Sequence, residues 1–131
     1  MSEAEIQTDV ALFIRTQYPD VLFKSDFGSG IKLTPWQAKM QKLQSGGRRG
    51  WPDIFVAEPR RDGNYWYHGL FIELKKNGVR LKKKNGEWAS DHIREQAEVL
   101  ETLREKGYMA EFAVGLIEAI DLVDDYLRGG E

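Results

Sequence analysis

Gly50-Trp51-Pro52-Asp53-Ile54-Phe55-Val56-Ala57 and Gly69-Leu70-Phe71-Ile72-Glu73-Leu74-Lys75-Lys76 are the two ends of the stretch that decides how this chain folds. Each is a short β-branched and aromatic run bounded by Gly, Pro or charge, which is the pattern of a strand. Pro52 suits the first position of a strand, where its missing N–H breaks no ladder bond. Between the runs, Glu58-Pro59-Arg60-Arg61-Asp62-Gly63-Asn64 is rich in turn formers. The pair reads as an antiparallel hairpin with a long tip. Side chains alternate along the second strand, so Leu70, Ile72 and Leu74 share one face and Phe71, Glu73 and Lys75 the other. Glu73 and Lys75 are then neighbours about 7 Å apart. Asp53 opens the adjacent strand and comes beside Glu73. Two carboxylates and an ammonium converge at one end of a sheet, a donor set for a divalent cation with a fixed positive charge next to it. Both Glu73 and Lys75 interrupt an apolar run, where charges are paired or bind metal. A structural charge network is the competing reading, since Glu-x-Lys and Pro-Asp also occur on ordinary strands and turns.

Working outward, 131 residues with 41% hydrophobics make one domain, residues 1–131, with a sizeable core. No apolar run spans a bilayer, the acidic start Met-Ser-Glu-Ala-Glu has no signal-peptide pattern, and there is no cysteine for disulfides or thiolate sites. A cytoplasmic protein that does not enter the membrane is the expectation. The net charge of −2 hides an asymmetry: residues 36–84 carry 12 bases against 4 acids, and residues 85–131 carry 12 acids against 4 bases. The middle segment has the balance of a nucleic-acid-binding surface.

In chain order, Ser2-x-x-Glu5 is a capping box that starts a helix striped by Ile6, Val10, Phe13 and Ile14. Glu3 lies three before Ile6, on the inward stripe, whereas Glu5 has a capping role. By phase, Glu3 is either a site acid or a solvated acid favouring the helix dipole. Tyr18-Pro19-Asp20 ends the helix, residues 21–27 read as a strand, and Gly28-Ser29-Gly30 as a loop. Thr34-Pro35 caps a short helix to about Gln44, with Trp36 read as a packing residue alongside Met40 and Leu43. Arg48 and Arg49 precede the Asp53 strand. Arg60 and Arg61, with Tyr65, Trp66 and Tyr67, form a hairpin tip able to stack on bases or sit in solvent. His68 reads as a strand-end residue. Lys76, Arg80, Lys82, Lys83 and Lys84 form a basic run leaving directly from Lys75, read as gripping phosphates rather than as merely solvated. Ser90 caps a helix to about Lys106 whose Ile93, Ala97, Leu100 and Leu103 face the core. Gln96 shares that face and needs a partner there, and His92 sits near the same helix start. A strand from Tyr108 to Gly115 and a helix striped by Leu116, Ile120, Val123 and Leu127 close the chain. The acids Glu118, Asp121, Asp124 and Asp125 read as solvent-facing, and the tail from Gly129 as frayed.

Pro52-Asp53 followed by Glu73-Leu74-Lys75 resembles the PD-(D/E)xK pattern of restriction-endonuclease-like nucleases. The lead-in Gly46-Gly47-Arg48-Arg49-Gly50-Trp51-Pro52-Asp53 resembles the VRR-NUC branch, and the likeness runs from Glu3 to Leu127. That branch includes small stand-alone phage and bacterial nucleases and the nuclease domain of a larger DNA-repair enzyme. The resemblance implies an α/β fold: a restriction-endonuclease-like αβββαβ core with a mixed central sheet, an inserted short helix and a C-terminal helix. It implies Mg²⁺- or Mn²⁺-dependent hydrolysis of DNA by homodimers acting on branched or structured DNA. Asp53 and Glu73 would hold the metal, with the Leu74 backbone carbonyl as a further ligand and Glu3 helping directly or through water. Lys75 would serve the chemistry and Gln96 would orient water or Lys75. A non-catalytic DNA-binding module using the same basic segment is the alternative.

Overall fold

Leu70–Lys75 is the central strand, and five of its six residues are buried. A computed structural model describes residues 1–26 and 32–129. The expected loop at 28–30, the end of the expected strand at 27 and the last two residues of the tail lie outside them. The elements are α1 (Glu3–Gln17), β1 (Phe23–Ser25), α2 (Pro35–Gln44), β2 (Ile54–Val56), β3 (Arg60–Asp62), β4 (Tyr65–Tyr67), β5 (Leu70–Lys75), α3 (Asp91–Glu105), β6 (Met109–Val114) and α4 (Leu116–Arg128). The main sheet has the order β1-β2-β5-β6. The first two pairings are antiparallel, and β5–β6 is parallel. A parallel pair needs a crossover, which α3 supplies. This is the expected mixed α/β core, with α2 inserted and α4 closing it.

The alternation along β5 divides the interior in two. Leu70, Ile72 and Leu74 pack with Ile6, Val10 and Ile14 of α1 and Ala119, Val123 and Tyr126 of α4. On the other face Phe71 packs against Val99, Leu100 and Leu103 of α3. Each fully buried Leu or Ile contributes about 1.5–3 kcal/mol, so these two layers fix which way Glu73 and Lys75 point. The caps are as read: Ser2 and Glu5 form a reciprocal box, as do Thr34 and Gln37, and Ser90 Oγ accepts from Ile93 N–H. Among the described residues no helix is long and apolar enough to cross a membrane.

Five expectations change. The strand read over 21–27 is reduced to three residues, because only Phe23–Ser25 find partners on β2. The long hairpin tip is a second small sheet, with Arg60 opposite Tyr67 and Arg61 opposite Trp66. It leaves from the far end of β2 and β5, about 17 Å of strand from Lys75. Arg60 is engaged there, its Nη1 donating to the Asp125 carbonyl at 3.3 Å and its guanidinium 5.7 Å from the centre of the Tyr126 ring. Trp36 does not pack: it is 69% exposed, and α2 buries none of its residues. Asp124 is not simply solvent-facing, since it accepts from the Tyr18 hydroxyl at 2.5 Å and pairs with Arg128 at 2.6 Å.

Candidate active site at the C-terminal end of the central strand

Glu73 and Lys75 leave β5 on the same face and are both buried, at 3% and 6% exposure. Asp53, half-buried, sits one residue before β2. Its N–H donates to the Ile72 carbonyl at 3.0 Å, and its Oδ2 accepts from Leu74 N–H at 2.8 Å. The Asp53 carboxylate thus caps the ladder where β2 starts, which fixes it against β5. Gly69 and Lys75 carbonyls accept from β6 and the residue after it, so by ladder alternation the Leu74 carbonyl faces the β2 side, beyond Ile54, the end residue of β2. Asp53, Glu73 and the Leu74 carbonyl therefore converge.

Glu73 Oε1 is buried without a partner. Burial is the main cause that pushes the Glu73 carboxyl up to about 10; the Asp53 charge and hydrogen bonding to Asp53 add to it. Lys75 opposes the rise by favouring the ionised form, and Glu3 adds a smaller push upward. A buried carboxyl oxygen without a partner, beside a second carboxylate, would suit a hard divalent cation. Among the described residues no group of three or more His, Cys, Asp or Glu side chains could hold a metal ion. The donor set is two carboxylates and a backbone carbonyl, which fits a Mg²⁺-like ion that keeps waters and takes substrate phosphate oxygens.

Glu3 lies half-buried in the first turn of α1, outside such a group, and reaches Glu73 through its charge. Glu5 is exposed and bonds the Ser2 amide at 3.0 Å, which lowers its pKa. Gln96 is buried on α3. Its Nε2 lies 3.3 Å from His92 Nε2, and its Oε1 is buried with no partner. Lys76, Arg80, Lys82, Lys83 and Lys84 are exposed beyond Lys75, as are Arg48 and Arg49 before Asp53. The basic run is ordered: Lys82 bridges Trp88, and Ala89 N–H donates to the Leu81 carbonyl at 2.8 Å. The Lys82 ammonium lies 4.8 Å from the Trp88 ring centre.

Two supporting residues are not evident from the sequence. Gln7 is buried, and its Nε2 donates to Ser25 Oγ at 2.6 Å and to the Asp26 carbonyl at 2.5 Å. Asp26 N–H in turn donates to the Asp53 carbonyl at 2.8 Å. Gln7 thus ties α1 to the strand end that holds Asp53. Its position three before Val10 on the inward stripe is the one signal the sequence carries for it. Gly50 has φ +84°, and a Cβ there would lie 3.1 Å from the backbone of Glu95 and Gln96. Only glycine lets this lead-in touch α3 beside Gln96.

The chain has a parallel-edged αβββαβ core with acidic residues and a lysine at one end of its central strand, an arrangement consistent with a nuclease-type fold. No family model matches the sequence, and no curated protein does. A solved structure described as a VRR_NUC domain protein is similar at 27% identity, with a TM-score of 0.64, over 100% of this chain and 92% of that one. That likeness, over the whole chain, supports a VRR-NUC-like domain.

Proposed function

We propose that this domain is a Mg²⁺- or Mn²⁺-dependent nuclease that hydrolyses DNA phosphodiester bonds. The observation that carries this is the buried Glu73 carboxyl, one oxygen without a partner, held between Asp53 and Lys75. Asp53, Glu73 and the Leu74 carbonyl would hold the ion, with Glu3 acting through water. A divalent ion bound there neutralises phosphate charge and makes water a better nucleophile at neutral pH. Lys75 positions the attacking water and sets a fixed positive charge where negative charge grows on the phosphate. Gln96 orients that water or the Lys75 ammonium. Arg48, Arg49 and the run Lys76, Arg80, Lys82, Lys83 and Lys84 hold the phosphate backbone without reading sequence. Branched or structured DNA is the proposed substrate and a homodimer the proposed state, two sites about a two-fold being suited to cutting two strands.

The test is cleavage of duplex, flap, bubble and four-way-junction DNA with Mg²⁺, Mn²⁺ or chelator. Cutting that needs the metal and is lost in Asp53→Ala supports the reading. DNA binding with no cutting under any condition replaces it with a non-catalytic binding module.

A further inference from the structure

α2 is a ten-residue helix with no fully buried residue. Trp36 and Leu43 are 69% and 66% exposed, and with Met40 they lie at i, i+4 and i+7 on one face. Lys39 borders that face and Lys42 lies beyond it. From Lys32 to Pro52 the chain holds five bases, Lys32, Lys39, Lys42, Arg48 and Arg49, and no Asp or Glu. The root of α2 is nonetheless fixed at the site. Trp51 Nε1 donates to the Ser45 carbonyl at 3.2 Å, the Trp51 ring lies 6.3 Å from Phe71, and Gly50 abuts α3. The C-terminal end of α2 is therefore anchored through the segment that leads into Asp53.

We propose that α2 is a nucleic-acid-binding arm. Trp36 stacks on an unpaired base of the strand entering the site, while Lys39, Lys42, Arg48 and Arg49 hold its flanking phosphates. The proposal rests on the nuclease reading for its DNA and names the class: a duplex with unpaired bases next to it. An exposed indole offers a flat face that accepts any base, and surrounding cations supply attraction independent of sequence. A base inside a duplex is already stacked on both sides, so the indole favours unpaired over paired DNA. Charge decides against a second copy of this chain as the occupant. Two α2 faces meeting about a two-fold would bring the same unneutralised cations together, whereas a polyanion neutralises them.

The test compares wild type, Trp36→Ala and Trp36→Phe with chelator present, so that nothing is cut. Probes are a flap DNA with 2-aminopurine as its first unpaired base and the matching blunt duplex. Since Trp36 is exposed, Trp36→Ala leaves the melting temperature nearly unchanged, and folding does not obscure the result. The expected outcome is a roughly tenfold fall in the flap-over-duplex affinity ratio for Trp36→Ala, from the loss of one base–aromatic stack. Trp36→Phe restores most of the ratio, and 2-aminopurine quenching is lost only in the alanine variant. An unchanged ratio overturns the arm, and so does a Trp36→Ala protein whose sedimentation shows a dimer turned monomer, because the face is then an interface between copies. If wild type never cuts yet Trp36 sets the ratio, the arm stands and the nuclease reading falls. If wild type cuts and the ratio ignores Trp36, the arm alone falls.

Discussion

Removing divalent metal should make this protein less stable as pH rises, and Glu73 should be the reason. The perturbation is titration from pH 6 to 8 with chelator present. In the folded state the Glu73 carboxyl is pushed up to about 10 from an ordinary 4.5, by burial first and the Asp53 charge second. Between those values the folded protein holds one proton that the unfolded chain has lost. Stability linked to this group is fully present below the unfolded value and drains away as pH climbs toward the folded one. A whole proton corresponds to about 1.4 kcal/mol per pH unit, so the apo protein should lose up to about 3 kcal/mol over the two units. On the proposed metal reading Mn²⁺ would take the place of the Glu73 proton, so saturating Mn²⁺ should flatten the slope and raise stability most at pH 8. Glu73→Gln keeps the shape and stays neutral, and should show neither the slope nor the Mn²⁺ gain. Urea unfolding followed by circular dichroism at pH 6, 7 and 8 measures both proteins. Other groups titrate in each and cancel in the difference. Equal slopes for wild type and Glu73→Gln would refute the reasoning.

Lys75→Met should fold, bind Mn²⁺ and DNA, and cut about 10²–10³-fold more slowly at saturating DNA, the usual cost of losing one preorganised electrostatic group; single-turnover kinetics measures it. Glu3→Gln should slow cleavage at nearly constant melting temperature, while Glu5→Gln should cost about 1 kcal/mol or less at the helix start and leave the cleavage rate alone; the reverse pattern exchanges the two roles. Changing Lys82, Lys83 and Lys84 to Ala should lower the slope of log affinity against log salt by about 0.9 for each phosphate no longer neutralised, read by fluorescence anisotropy over a salt series. Gly50→Ala, at φ +84° and 3.1 Å from the α3 backbone, should cost about 1–2 kcal/mol and slow cleavage through Gln96; a thermal melt and a cleavage rate check both.

The β2–β5 hairpin, the caps and the placement of Glu73 and Lys75 on one face of β5 were legible because each rests on local pattern: alternation on β5, a capping box at Ser2, Pro at the start of α2. What was not legible depends on the third dimension. Gln7 became a support because the end of β1 folds back beside α1. Tyr126 fell between the apolar positions read for α4, yet it is 1% exposed and its hydroxyl donates to the Glu58 carbonyl at 2.6 Å. Trp36, Met40 and Leu43 carry the same spacing as a buried stripe, and only the lack of an opposing surface among the described residues separates the two cases. Arg60 and Arg61 were close to Asp53 in sequence, but the direction of β2 carries them to the opposite end of the sheet.

The parallel pairing of β5 with β6 also has a kinetic side. Leu70 aligns with Met109, far later in the chain, and α1 must dock on β5 across a still longer separation. Such distant closures raise the contact order, and high contact order slows folding. Asp53 and Glu73 meet in a hairpin that forms early by comparison, but they are open to water there. Burial comes only when α3 closes over one face of β5 and α1 and α4 close over the other. A nascent chain that has made β2 and β5 but not β6 leaves Glu73 open to water, without the burial that raises its carboxyl. The buried environment of Glu73 is therefore a property of the completed fold and of no fragment of it.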